Sequence, residues 1–293
     1  MTDEKVLAEL FEEHRSHLRA VAYRMLGSLN DADDAVQEAW LRLSRTDSDA
    51  VDNPAAWLTT VVSRICLNVL RSRQNRREDL LGVRFPDPII TVGDSDDPQH
   101  QALLADSVGL ALLVVLEALT PAERLAFVLH DMFAMPFDEI APLVDRTPAA
   151  TRQLASRARR RVQDNAPAPD PDFGPHQRAV VEAFLAAARN GDMTQLMLAL
   201  DPNVILYADR GAASSTGPVE LHGADAVADS AVLFATPGAS TGFARVNGAV
   251  GAISRLRGRT FALLTFVVRD GRIARIDVLA DPDRLADLDL DRE

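Results

Sequence analysis

The sequence has a single cysteine, Cys66, and a single lysine, Lys5, among its 293 residues. One cysteine cannot form an internal disulfide, and with six scattered histidines it offers no zinc-binding cluster. The longest apolar run, near residues 110–116, is too short to cross a membrane, and the acidic start of the chain is unlike a signal peptide. These absences predict a cytoplasmic protein with no metal or other cofactor and no membrane partner.

The composition is that of a folded globular protein, with 47% hydrophobic and 25% charged residues. The length suits two or three domains. The formal net charge of −12 argues against a protein that binds polyanions with its whole surface. Because the arginines cluster in two segments, local charge is a better guide to function than the net charge.

Two proline-rich segments divide the chain into three parts. Residues 81–101 contain three prolines and are predicted to be a linker, whereas residues 165–175 contain four and are predicted to be a stiff connector. The first two parts follow a helical periodicity, and the last combines a helix with strand-like runs. The fold class is therefore multidomain, with two all-α domains at residues 1–80 and 102–164 and an α+β domain at residues 176–293.

The apolar periodicity also predicts individual elements. Helices are expected at residues 6–26, 31–43, 54–77, 102–119, 121–130, 136–144, 148–164 and 177–190. Strands are expected at residues 204–208, 249–256, 260–269 and 272–279. Asn30 is expected to cap the second helix. Asp270-Gly271, between the last two strands, predicts a hairpin turn.

Residues 136–162 have the pattern of a helix-turn-helix. Asp145 and Arg146 suit a tight turn, Thr147 suits an N-cap, and Pro148 suits the first helical position. The turn and second helix carry six arginines against one aspartate, which suits a helix that lies in the major groove of DNA. The residues predicted to contact DNA are Arg146, Arg152, Gln153, Ser156, Arg157 and Arg160. A solvated basic helix face is the alternative.

Two helices of the first domain have opposite charges. The helix expected at residues 31–43 exposes acidic and amide side chains, which predict a docking surface for a basic partner. Acidic side chains also stabilise the N-terminus of a helix, so stability is the alternative explanation. The next helix has five arginines and no acid between Asp52 and Glu78, which suits binding to melted DNA. The helix dipole accounts for part of that charge.

The order of acidic helix, arginine-rich helix, linker and helix-turn-helix resembles an extracytoplasmic-function sigma factor of the sigma-70 family. The motifs that carry the resemblance lie at residues 31–43, 55–71, 119–141 and 151–159. It implies core RNA polymerase and promoter DNA as partners and no catalytic residue in this chain, because the polymerase performs the chemistry.

The resemblance also implies roles for residues. Asp31, Asp34, Gln37 and Glu38 would bind the largest polymerase subunit. Trp57, Thr60, Arg64, Asn68, Arg71, Arg73 and Arg76 would bind the minus-ten element. The arginine-rich second helix of the helix-turn-helix would bind the minus-thirty-five element. Many members have an asparagine in the minus-ten helix where this chain has Arg64.

The α+β domain resembles the cone-shaped SnoaL-like domain that extends a subgroup of these sigma factors. The subgroup implies that this extension regulates the sigma domains of the same molecule. Its linker motif corresponds here to Arg84, Phe85, Pro86, Asp87 and Pro88, and its terminal motif to Asp281, Pro282, Asp283, Arg284 and Leu285. We expect an ion pair from Arg84 to Asp281 or Asp283, and apolar contact between Phe85 and Leu285.

Three alternatives remain open. The first alternative is an enzyme, in which the pocket of the cone domain would hold an acid and a base. The candidates for these two groups are Asp209, His222 and Asp277. A sensor would bind an apolar small molecule in the cone. A repressor would use the helix-turn-helix alone, but it would need neither the acidic helix nor the arginine-rich helix that precedes the linker.

Overall fold

The computed structural model describes residues 3–45, 53–77, 85–91, 109–165, 175–211, 217–288 and 290, which form two compact units. Within these ranges, unit 1 consists of residues 3–45, 53–77 and 115–162. Unit 2 consists of residues 85–91, 109–114, 163–165, 175–211, 217–288 and 290. None of the described helices is both long enough and apolar enough to span a membrane.

Unit 1 is helical. Its elements are α1 (Asp3–Leu26), α2 (Leu29–Leu43), α3 (Pro54–Arg77), α4 (Leu110–Glu117), α5 (Pro121–Phe127), a π-helical turn (Val128–Met132), α6 (Phe137–Ile140), a 3₁₀ turn (Ala141–Leu143) and α7 (Pro148–Asn165). The first residues of α4 and the last residues of α7 are assigned to unit 2. The predicted helix at residues 102–119 is observed only from Leu110, because residues 101–108 lie outside the described part of the chain.

The first three helices begin and end where local side chains satisfy the backbone. Gly27 has a φ of +65° and ends α1, as expected for a left-handed terminating residue. Ser28, rather than the predicted Asn30, caps α2, since its hydroxyl accepts a bond from the Asp31 amide. Asn53 caps α3 by accepting a bond from the Ala56 amide.

The apolar faces of α1, α2 and α3 form the first core. Val36, Ala39 and Leu43 are buried, while Trp40 is half-buried and packs on Phe11 with 5.1 Å between ring centroids. Cys66 is buried within α3, and burial raises the pKa of its thiol to about 12. The thiol is therefore protonated at neutral pH and does not act as a nucleophile.

The helix-turn-helix has the predicted turn but shorter first helices. Thr120 and Glu123 form a reciprocal capping box at the start of α5. The prediction gave one helix at residues 121–130 and one at residues 136–144. In the structure, the first changes from α-helix to π-helix at Val128, and the second changes from α-helix to 3₁₀-helix at Ala141. Asp145 has a φ of +55°, and the Thr147 hydroxyl accepts a bond from the Ala150 amide at the start of α7.

The described residues of unit 2 form a seven-stranded sheet together with four helices. Its elements are β1 (Ile90–Thr91), α8 (Pro175–Asn190), α9 (Met193–Ala199), β2 (Leu200–Asp209), β3 (Val219–His222), α10 (Ala224–Phe234), β4 (Ser240–Val246), β5 (Ala249–Leu256), β6 (Arg259–Arg269), β7 (Arg272–Leu279) and α11 (Pro282–Asp287). The strand order is β1-β4-β5-β6-β7-β2-β3, and only β2 and β7 pair in parallel. Asp270 and Gly271 both have positive φ, which confirms the predicted hairpin.

Residues 85–91 correct the prediction of a linker at residues 81–101. Ile90 pairs with Val246 of β4, and the Ile89 amide donates to the Asn247 side chain at 2.9 Å. Phe85 and Ile89 are buried. These residues, called the strap below, are attached to unit 2, and two of them, Ile90 and Thr91, form a strand of its sheet. The rest of the predicted linker and residues 166–174 of the predicted connector lie outside the described residues.

Candidate nucleic-acid interface and strap site

The outer face of α7 and the turn before it carry the residues predicted to contact the minus-thirty-five element. All six are exposed: Arg146, Arg152, Gln153, Ser156, Arg157 and Arg160. The guanidinium of Arg152 also lies over the Phe137 ring, 5.3 Å from its centroid. Two other arginines of α7 are held by the fold, because Arg159 pairs with Asp131 at 2.5 Å and Arg161 pairs with Glu123 at 3.4 Å.

One face of α3 carries most of the residues predicted to contact the minus-ten element. They follow each other at intervals of three or four residues, which places them on one side of a helix. This set is Trp57, Thr60, Arg64, Asn68 and Arg71, of which the last three are exposed. The side chain of Arg76, also predicted here, lies outside the described residues.

Arg73 lies on the opposite side of α3 from that face. Its guanidinium forms an ion pair with Asp31 and donates to the Leu26 carbonyl oxygen at 3.0 Å. The interpretation of both residues therefore changes: the prediction placed Arg73 on DNA and Asp31 on polymerase, whereas in the structure they join α3 to the start of α2.

A stripe on α2 carries the remaining polymerase-binding candidates. Asp34 and Gln37 are exposed, and Glu38 forms an exposed ion pair with Arg42 at 2.9 Å. Leu41 continues the stripe one turn further and is 40% exposed. The sequence prediction did not include Leu41, because it considered only the acidic and amide side chains of this helix for the docking surface.

Unit 1 also contains a buried arginine that sequence analysis missed. Arg124 of α5 donates to the Glu117 carboxylate at 2.8 Å and to the Leu116 carbonyl oxygen at 2.7 Å. It also donates to the carbonyl oxygen of Met25, in the last turn of α1, at 2.7 Å. Arg124 therefore joins the helix-turn-helix segment to the first three helices.

Two further contacts join the same parts of unit 1. Arg71, on the predicted minus-ten face, lies 3.8 Å from the carboxylate of Asp145 in the turn of the helix-turn-helix. The guanidinium of Arg24 lies 4.7 Å from the ring centroid of Phe133. The two predicted DNA-binding parts of unit 1 are therefore in direct contact. This arrangement of unit 1 is called the closed form below.

Arg284 of α11 brings the linker motif and the terminal motif together. It pairs with Asp87 of the strap at 2.8 Å and with Asp209 at 3.5 Å, and its guanidinium lies 6.0 Å from the Phe85 ring centroid. Phe85 stacks on Tyr207 with 6.2 Å between centroids. In this ion pair the terminal motif supplies the arginine and the linker motif supplies the aspartate. The prediction had the reverse, with Arg84 of the linker motif as the cation, and Arg84 lies outside the described residues.

Other motif residues support this arrangement. Asp281 caps α11 by accepting bonds from the amides of Asp283 and Arg284. A Cβ at position 211 would come within 2.6 Å of the Asp281 carboxyl carbon, and Gly211 has a φ of +78°, so glycine is required there. Pro86, Pro88 and Leu285 are buried.

The candidates for an acid and a base do not converge on a cavity. Asp277 is buried and paired with Arg275 at 2.7 Å, and His222 is exposed and paired with Glu220 at 2.9 Å. Asp209 accepts bonds from the Gly211 amide and from Arg284. Burial raises the pKa of neighbouring Tyr207, and the Asp209 and Asp277 carboxylates act in the same direction.

The cavity of unit 2 lies on the other face of the same strands. It has a volume of about 290 Å³ and lies between the sheet and helices α8 and α10. Leu206 and Ala208 of β2 and Ile276 and Val278 of β7 line it, whereas Tyr207, between the first two, contacts the strap on the opposite face.

Comparison with known proteins identifies both halves of the helical part. A model of sigma-70 region 2 matches residues 10–76, and a model of sigma-70 region 4 matches residues 109–162. The ECF RNA polymerase sigma factor SigJ of Mycobacterium tuberculosis is 40% identical over 286 residues, which cover 94% of this chain and 91% of the relative.

The similarity extends through the α+β unit. The probable ECF RNA polymerase sigma factor SigI of the same species is 34% identical and covers 97% of both chains. The crystal structure of M. tuberculosis SigJ matches with a TM-score of 0.70 at 36% identity and covers 95% of this chain and 98% of that one. By sequence and by fold, the chain belongs to the extracytoplasmic-function sigma factors of the sigma-70 family.

Proposed function

We propose that the chain binds core RNA polymerase through α2 and directs it to promoters through α3 and α7. The observation that carries the proposal is the charge of three exposed helix faces in unit 1. The α2 stripe is acidic, whereas the α3 and α7 faces carry arginines together with amide or hydroxyl groups. Run-off transcription by the purified chain with core polymerase on a matched promoter tests the proposal as a whole.

The α2 stripe is the proposed polymerase surface. Changing both Asp34 and Glu38 to lysine should weaken binding to core polymerase by about tenfold to a hundredfold, because two favourable charge contacts become repulsive. Fluorescence anisotropy of the labelled chain titrated with core polymerase measures the change. The double variant Glu12→Lys, Glu13→Lys is the matched control, since it reverses two exposed acids on α1. Equal affinity of both double variants would contradict the assignment.

The α7 face is the proposed reader of the minus-thirty-five element. Arg152→Ala and Ser156→Ala should each change the preference among upstream sequences, at a cost of about 1–3 kcal/mol per lost base contact. Arg160→Ala should weaken binding to all sequences alike and reduce the salt slope by about 1. Arg159→Ala is the control, because Asp131 already holds this arginine. Identical behaviour of all four variants on a promoter panel would show that this face does not read DNA.

The closed arrangement of unit 1 must open for this function. The minus-ten and minus-thirty-five elements lie about 25 base pairs apart, which is roughly 85 Å of duplex at 3.4 Å per base pair. In the closed form, the hydrogen bond of 2.7 Å from Arg124 to Met25 holds the helix-turn-helix against the first three helices. The two DNA-binding parts are then too close together to reach the minus-ten and minus-thirty-five elements at the same time. We therefore place the closed form before promoter binding.

The strap is the proposed means of regulation by unit 2. It is part of the chain segment that joins α3 to α4. It is attached to unit 2 through Arg284, Tyr207 and Asn247, and Ile90 and Thr91 pair with β4. A segment that is held in the sheet does not lengthen the connection between the two DNA-binding parts. Attachment of the strap should therefore oppose opening, and its release should favour it.

A further inference from the structure

The cavity of unit 2 is lined by a selective set of residues. Most are apolar, including Phe184, Leu264 and Ile276, and the charged ones are Arg189 and Arg210. No carboxylate and no histidine lines it among the residues that the structure describes. The chain has a net charge of −12, whereas the described lining of this cavity carries a net positive charge from two arginines.

The arginines lie beside an exposed apolar rim. The guanidinium of Arg210 lies 4.5 Å from the ring centroid of Phe234, and this ring is 53% exposed. Its neighbour Leu233 is 77% exposed. Neither Arg189 nor Arg210 forms an ion pair within the described ranges, so their positive charge is available to a ligand. The rim therefore combines a cation with apolar surface.

The interior offers a small polar group at a defined place. The hydroxyls of Thr241 and Ser254 lie 3.4 Å apart, and both residues line the cavity. A volume of about 290 Å³ is close to the lower end of the ~300–1,000 Å³ range of ligand pockets. At roughly 30 Å³ for one water molecule in the liquid, it suits a ligand of about ten heavy atoms.

We propose that this cavity binds a small amphiphilic carboxylic acid with an apolar body. The carboxylate contacts the guanidinium of Arg210 at the rim, through charge-assisted hydrogen bonds. The apolar body lies against Phe184, Leu264 and Ile276, where burial of apolar surface favours binding.

Octanoate, with ten heavy atoms, is the probe, and calorimetry of the full-length chain without polymerase is the measurement. Octanoate should bind at least about tenfold more tightly than octan-1-ol, which has a similar body without the charge. Arg210→Gln should remove this difference. Ala231→Phe, which places a ring in the cavity, should abolish binding of both probes. The inference does not depend on the proposed function, since the assay contains neither polymerase nor DNA.

Arg178→Gln is the matched control. Arg178 also lies over a phenylalanine of unit 2, 4.7 Å from the Phe243 ring centroid, but it does not line the cavity. This variant should bind octanoate as the natural sequence does. Absence of octanoate binding at millimolar concentration would overturn the proposal. Equal loss in the Arg178 and Arg210 variants, or equal affinity for octanoate and octan-1-ol, would overturn the assignment of a carboxylate at Arg210.

Discussion

Replacing Arg124 by alanine should lower the free energy of unfolding of unit 1 by about 3–5 kcal/mol, the usual cost of breaking a buried ion pair from one side. The side chains of Arg124 and Glu117 are only 2% and 4% exposed. Alanine would leave the Glu117 carboxylate buried without its cation and would remove the donors to Met25 and Leu116. Both effects act in the same direction.

Urea unfolding followed by tryptophan fluorescence measures this change in the full-length chain. Both tryptophans, Trp40 and Trp57, lie in unit 1, so the signal reports on that unit alone. Arg161→Ala is the control: its side chain is 52% exposed and pairs with Glu123, and its loss should cost less than about 1 kcal/mol.

A second variant separates the ion pair from the packing around it. Arg124→Met combined with Glu117→Leu replaces both charges by apolar groups of similar length, so no charge is left buried alone. This double variant should recover most of the stability that Arg124→Ala loses. If Arg124→Ala is no less stable than Arg161→Ala, the buried pair does not stabilise unit 1.

The exposed helix faces were predictable because their signals are local. The spacing of Arg64, Asn68 and Arg71 places them on one side of α3, and the N-cap and proline at Thr147 and Pro148 fix the start of α7. Periodicity also predicted β5 and β7 with the observed bounds. Each of these inferences needs only residues within one element.

Sequence patterns were insufficient where the surroundings of a residue come from a distant segment. Arg73 looks like a DNA contact until Asp31, 42 positions earlier, is found beside it. The prolines in the strap suggested a free linker, because nothing nearby shows that β4 pairs with it. Arg275 and Asp277 alternate with apolar residues as solvent-facing positions do, yet both are buried and paired with each other. Sequence periodicity gives the face of a strand but not what covers that face.

Replacing Phe85 by alanine should release the strap and raise run-off transcription several-fold. Phe85 is fully buried against Tyr207, and removing a buried phenylalanine side chain costs about 3–5 kcal/mol. The remaining attachment consists of the pairing of Ile90 and Thr91 with β4, the bonds between Ile89 and Asn247, and the pair between Arg284 and Asp87, which contributes about 1 kcal/mol or less. With the strap released, more of the chain between α3 and α4 is free, and the closed form of unit 1 opens more readily.

Two measurements keep strap release and transcription separate. Next to the paired strands β1 and β4, the Ile89 amide donates to the Asn247 side chain and the Asn247 amide donates to the Ile89 carbonyl oxygen. Hydrogen exchange at these two amides reports release directly, because both should lose protection in the Phe85 variant. Run-off transcription at one promoter, with equal amounts of folded protein, reports the consequence. Leu198→Ala is the control, since it removes an exposed apolar side chain of unit 2 that lies outside both the strap and the cavity. Loss of amide protection with unchanged transcription would show that the strap is structural and that unit 2 does not restrain opening through it.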